Sequence, residues 1–203
     1  MHGSPKADIW HNVAMAAIGA FCGSSSGSNP GFRRAAAALG AAVAVGDHQL
    51  VYGGGDVGLM GAVADAAIGR GGQVTGVMTE HLVAAEVSHD GLTTLEIVGS
   101  MHERKARMVA LSDGIVVLPG GFGTMDEAFE VITWNQLGLI SIPVVFLDVD
   151  GYFAALFSFI AKSVEAGFVR GRHAGIAQLT SSPEEAIDIA TGPPKGFSPK
   201  WIG

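Results

Sequence analysis

Arg104 and Glu127 are the residues of this sequence best suited to chemistry on an anionic substrate. The run Met101-His102-Glu103-Arg104-Lys105-Ala106-Arg107-Met108 puts positions 101, 104, 105 and 108 on one face at helical spacing. Two cations therefore share a stripe with two methionines. Such a stripe suits a cleft for an anionic ligand with a flat apolar part, and arginine offers phosphate a bidentate fork. A second run, Thr124-Met125-Asp126-Glu127-Ala128-Phe129-Glu130, predicts a helix with two acids in its first turn. The helix dipole accounts for Asp126 there. Glu127, Glu130 and Trp134 share a face with Thr124. A carboxylate beside a phosphate site is electrostatically awkward, which points to chemistry rather than to binding alone.

Three glycine-rich loops could receive that anion. They are Gly23-Ser24-Ser25-Ser26-Gly27-Ser28, Gly53-Gly54-Gly55-Asp56-Val57-Gly58, and Pro119-Gly120-Gly121-Phe122-Gly123-Thr124. Each follows an apolar run and opens a helical one. Glycine lets backbone N–H groups approach an oxygen anion, and a helix start presents free donors with partial positive charge. One such loop could be a tight turn and nothing more; three at strand ends favour a phosphate-bearing ligand. None carries the Gly-Lys-Ser/Thr of a P-loop, and the first has the wrong glycine spacing for a dinucleotide fingerprint.

The elements that must position these loops alternate. Apolar runs at residues 13–20, 49–52, 73–78, 93–98, 114–118 and 143–147 read as strands. Residues 30–45, 59–69, 101–111, 124–137, 152–166 and 183–190 read as helices. Alternating strands and helices predict an α/β fold, a parallel sheet with helices on both faces. Ligands on such sheets bind beyond the carboxyl ends of the strands, near a switch point. With 203 residues, one domain is expected. Its bounds are read as 12–190, with a flexible extension over 1–11 and a tail over 191–203.

Composition narrows the partners. The net charge is −7 without a basic run, which argues against nucleic acid. Charged residues are 15% against 48% hydrophobic ones, so surface hidden in an oligomer is expected. The single cysteine, Cys22, excludes an internal disulfide and reads as a small buried hydrophobe. No apolar run approaches the ~20 residues of a membrane span, and no basic region precedes residues 13–22 as in a secretory signal. A cytoplasmic protein is expected. The histidines lack ligand spacing and are expected on the surface. His102-Glu103 lacks the second histidine of a zinc helix, so no metal is required.

The segments Gly53-Gly54-Gly55 to Gly58-Leu59-Met60-Gly61, Met101-His102-Glu103-Arg104-Lys105 and Pro119-Gly120-Gly121-Phe122-Gly123-Thr124-Met125-Asp126-Glu127 resemble the LONELY GUY (LOG) family. These are cytokinin riboside 5′-monophosphate phosphoribohydrolases. The likeness runs from about Ala16 to Ala190. One departure is Leu139-Ile140-Ser141-Ile142, where relatives usually carry a His and a Lys. The resemblance implies a Rossmann-like fold, a homodimer with sites near its interface, and no cofactor. It implies hydrolysis of the N-glycosidic bond of adenosine 5′-monophosphates, often N6-substituted. Arg104 and Glu127 match the catalytic pair. Gly121, Gly123 and Thr124 match the phosphate loop, and Lys105, Glu86 and Thr133 match substrate contacts. Gly23, Ser24, Gly54, Gly120, Phe122 and Glu130 complete the expected binding set. The alternatives are a general AMP nucleosidase, a nucleotide or cofactor carrier without hydrolysis, and a pyridoxal-phosphate decarboxylase. The last needs a Schiff-base lysine. Outside the motif the lysines are Lys6, Lys162, Lys195 and Lys200, and none follows a glycine loop.

Overall fold

A computed structural model of the protein describes residues 15–85 and 88–195. The chain runs β1 (Ala17–Phe21), α1 (Pro30–Val45), β2 (Gln49–Tyr52), α2 (Gly58–Ile68), β3 (Val74–Thr79), α3 (Glu80–Ala85), β4 (Thr94–Val98), α4 (Met101–Ala110), β5 (Gly114–Val117), α5 (Phe122–Leu137), β6 (Val144–Leu147), α6 (Ala154–Glu165), α7 (Gly171–Ala174), β7 (Ala177–Thr180) and α8 (Pro183–Thr191). The strands form one sheet in the order β4-β3-β2-β1-β5-β6-β7, every pair parallel. This is the expected α/β architecture.

Burial on both faces explains why the central strands are continuous apolar runs. Along β1, Ile18 and Ala20 point to a core shared with Leu39 and Val43 of α1, Val63 of α2 and Ile187 of α8. Phe21 points the other way, to Met108 of α4, Val131 of α5 and Phe157 by α6. Gly40 brings α1 against α2, where a Cβ would lie 2.0 Å from the Val63 carbonyl oxygen. Helix starts follow local chemistry. Asn29 and Ser182 cap α1 and α8 at Gly31 and Glu185, each ahead of a proline at the first turn.

From β1 the chain moves outward through β2, β3 and β4, then returns to place β5 on the other side of β1. The loops after β1 and β5 therefore leave in opposite directions, and a crevice opens between them.

Three elements were not expected. The strand β7 and the helices α3 and α7 are short (4, 6 and 4 residues). The half-exposed edge strand β7 lacks the apolar run of a buried strand. α5 begins two residues before the expected Thr124, so its first turn holds no acid. Asp126 is therefore not there to balance the helix dipole; it pairs with Lys105. Two histidines expected on the surface, His48 and His173, are buried. The His48 Nδ1 accepts from the Ala16 N–H, and the His173 Nδ1 lies 3.1 Å from the Gln136 amide nitrogen. Cys22 is a buried free thiol, as its apolar setting predicts.

Candidate active site

A cavity of about 310 Å³ lies at the switch point. Gly23 and Ser24 after β1, Gly53 after β2, Arg104 on α4, and Gly121, Phe122, Gly123, Thr124 and Glu127 of the α5 start all reach it.

Arg104 is placed by backbone. Its helix starts with Ser100 accepting from the Glu103 N–H, while the Glu103 carboxylate accepts from the Gly99 N–H, a variant of the capping box. The side chain then crosses to the strand ends. Its Nε donates to the Val77 carbonyl at 2.8 Å and its Nη2 to the Gly53 carbonyl at 2.9 Å. Gly53 must be glycine for this: a Cβ would sit 2.2 Å from Nη2. The remaining nitrogen, Nη1, lies 3.7 Å from the Glu127 Oε1. That is an ion pair without a close hydrogen bond. Both side chains are nearly buried, 8% and 13% exposed.

Glu127 feels that burial. Desolvation pushes its carboxyl from 4.5 up to about 7; Arg104 and Lys105 oppose the shift, and Asp126 and Glu130 add to it. Near neutral pH the group can hold or release a proton, as a general acid or base must. Burial also raises the Cys22 thiol, with Glu127 adding to it, so Cys22 is no thiolate nucleophile.

The start of α5 is the anion receptor. Its N-cap is Gly121, which has no side chain to cap with. The first N–H groups of a helix have no partner within it. In α2 the equivalent need is met by the β1 loop, whose Gly23 carbonyl accepts from the Leu59 N–H at 3.0 Å. The α5 start instead opens on the cavity, with the buried Thr124 beside it. Beyond their chain neighbours and the backbone of α5 itself, Gly121 and Gly123 have no atom of the described residues within 4 Å of where a Cβ would be.

Other expected site residues fall elsewhere. Gly54 is next to the cavity wall, and Gly53 takes the expected place on it. Gly120 packs behind the loop, where a Cβ would lie 2.1 Å from the Thr124 Oγ1. The Lys105 amine turns away to Asp126 at 2.9 Å and Glu130 at 3.2 Å. Burial alone would lower that amine, but the two acids outweigh it and raise it. Glu130 and Thr133 lie on the outer face of α5 with Phe129 and Trp134. The Thr133 hydroxyl donates to the Phe129 carbonyl. Glu86 lies outside the described residues. Sequence reasoning missed Ala20, Met60 and Leu82 as wall residues. Met60 stands in a glycine motif that could have been followed one turn further, whereas Leu82 belongs to the unexpected α3.

Among the described residues no lysine lines the cavity. A Schiff-base lysine for decarboxylation is therefore missing from its wall, although a family described as "Possible lysine decarboxylase" matches residues 60–190. The chain is 46% identical over 163 residues to the probable cytokinin riboside 5′-monophosphate phosphoribohydrolase LOGL9 of Oryza sativa subsp. japonica, spanning 80% of this chain and 72% of that one. It is 44% identical over 167 residues to the cytokinin riboside 5′-monophosphate phosphoribohydrolase LOG1 of Arabidopsis thaliana, spanning 82% and 78%. Among solved structures, the molybdenum cofactor binding protein of Rippkaea orientalis superposes with a TM-score of 0.65 at 23% identity, over 86% of this chain and 94% of that one. The molybdenum cofactor carrier protein of Chlamydomonas reinhardtii gives 0.65 at 20%, with the same coverage. These two share the fold. Likeness at the level of the plant proteins, over most of both chains, is a relationship of descent, and the chain belongs to the LOG family of phosphoribohydrolases.

Proposed function

We propose that this protein hydrolyses the N-glycosidic bond of adenosine 5′-monophosphates, N6-substituted ones included, to the free base and ribose 5-phosphate. It would thereby activate cytokinins. The observation that carries this is the buried Arg104–Glu127 pair, 3.7 Å apart, in one cavity with the uncapped start of α5. The phosphate takes the free N–H groups of α5 and the Thr124 hydroxyl, and the apolar wall of Met60, Leu82, Met101 and Met108 suits a flat base. Breaking the C1′–N bond builds positive charge on the ribose. The bond's electron pair leaves with the base, whose ring nitrogen takes up a proton from solvent. The Glu127 carboxylate stabilises the charge on the ribose and takes a proton from the attacking water, whose hydroxide joins C1′. Arg104, fixed by two carbonyls, orients Glu127 and directs its Nη1 donors at the substrate. Anchoring the phosphate supplies remote binding energy for the reacting centre.

The same reading includes a cytoplasmic homodimer. The outer face of α6 supports a second copy. The helix is apolar yet has no buried residue, and Phe129, Phe159 and Phe168 are 38%, 61% and 85% exposed. Paired aromatics of this size seldom stay in water.

Incubation with AMP and N6-isopentenyl-AMP, with free base followed by chromatography, tests the activity. Release from either is expected, and Arg104→Ala and Glu127→Ala should each lower it by at least about a hundredfold while the fold is kept. Nucleotide bound but left intact by the wild type would instead make the protein a carrier.

A further inference from the structure

Tyr152 lies outside every motif discussed above, on the loop between β6 and α6. Its hydroxyl donates to the Gly120 carbonyl at 2.5 Å. Its ring stacks edge-on against Phe32 of α1 and against Phe153, with centroids 5.3 Å and 5.0 Å away. The loop that carries it is itself fixed. The Asp148 carboxylate accepts from the Gly151 and Phe153 N–H groups, and the Asn29 side chain that caps α1 also donates to Asp150 at 2.7 Å. Tyr152 is thus presented rigidly to the phosphate loop.

The loop needs such support. The Gly120–Gly121 peptide has glycine on both sides, so its plane can turn over at little steric cost. Gly120 cannot be stiffened from within, because a Cβ there would strike the Thr124 Oγ1. The preceding peptide is already pinned by the Gly23 N–H, which donates to the Pro119 carbonyl at 3.1 Å. In a trans peptide the carbonyl and the next N–H point in opposite directions. Holding the Gly120 carbonyl towards Tyr152 therefore turns the Gly121 N–H away from it, on the side of the loop opposite the tyrosine.

We propose that Tyr152 is a positioning residue: through the Gly120 carbonyl it sets the orientation of the peptide that receives the substrate phosphate. It touches no reacting atom. The inference rests on the proposed phosphoribohydrolase reading for its substrate, and on the hydrogen bond alone for its geometry.

Tyr152→Phe keeps both ring contacts and removes only the hydroxyl. In the 203-residue chain, KM for AMP should rise about tenfold, the weight of one neutral hydrogen bond, with kcat little changed. Any cleavage of adenosine, which lacks the phosphate and is expected to react far more slowly, should be unaffected. The dissociation constant of ribose 5-phosphate, measured by calorimetry, should rise with KM. An unchanged KM and an unchanged dissociation constant would overturn the proposal. So would an equal loss on AMP and adenosine, which would mean a general disturbance of the fold. Wild-type protein that cleaves neither substrate would end the hydrolase reading, while ribose 5-phosphate binding would still decide the role of Tyr152.

Discussion

Glu127 is governed by its surroundings more than by its partner. At 3.7 Å Arg104 is too far for a strong hydrogen bond, and burial wins, leaving the carboxyl near 7. The folded protein therefore holds a proton that the unfolded chain gives up between about pH 4.5 and 7. Stability contributed by that proton is full at low pH and is lost as pH rises through this window. Glu127→Gln removes the cost of ionising the group. At pH 8 the variant should be more stable than the wild type by about 1–3 kcal/mol, with activity lost; equal melting temperatures at pH 8 would sink the argument. For the wild type, kcat should climb through about pH 7 as the carboxylate forms, and a flat profile would show that another group is the base. Of this site, Arg104, Glu127 and the third loop were legible, because charge and glycine in a helical frame have few other uses. The outward turn of Lys105 was not. Helical spacing alone put it beside Arg104, but the acids of α5, a neighbour far away in sequence, decide where its amine goes.

The glycines show how the elements hold the site, and their substitutions separate placement from stability. At Gly53 an added Cβ meets the tip of a flexible side chain, Arg104. Gly53→Ala should fold and melt close to the wild type while losing activity nearly as Arg104→Ala does; retained activity would mean that Arg104 works from another position. At Gly40 the added Cβ meets the backbone of α2. Gly40→Ala should leave the site intact but lower stability by about 1–3 kcal/mol, as overpacking does, read from denaturant melts. The long elements were legible in the sequence because buried parallel strands are unbroken apolar runs and their helices carry caps. The helix α1 and the strand β2 match their expected bounds, Pro30–Val45 and Gln49–Tyr52. The start of α5 was misplaced because a glycine N-cap leaves no side-chain signal, and β7 was missed because its pairing with β6 is a tertiary event.

Across the whole molecule, an exposed apolar surface runs along α5 up to the site. The exposed aromatics of α5 and α6 continue towards Phe122, which is 98% exposed at the cavity mouth. Phe159→Asp should convert the proposed dimer to a monomer in light scattering without unfolding it, since Phe159 is 61% exposed; a wild type that is already monomeric would remove this face as the interface. The open start of α5 has a further consequence. A helix end that only a ligand completes makes the folded state take up that ligand by mass action, at about 2.7 kcal/mol for a concentration a hundred times the dissociation constant. The melting curve of this protein should therefore shift with phosphate in the buffer. Ribose 5-phosphate, released by each turnover onto the same N–H groups, should slow the enzyme that made it.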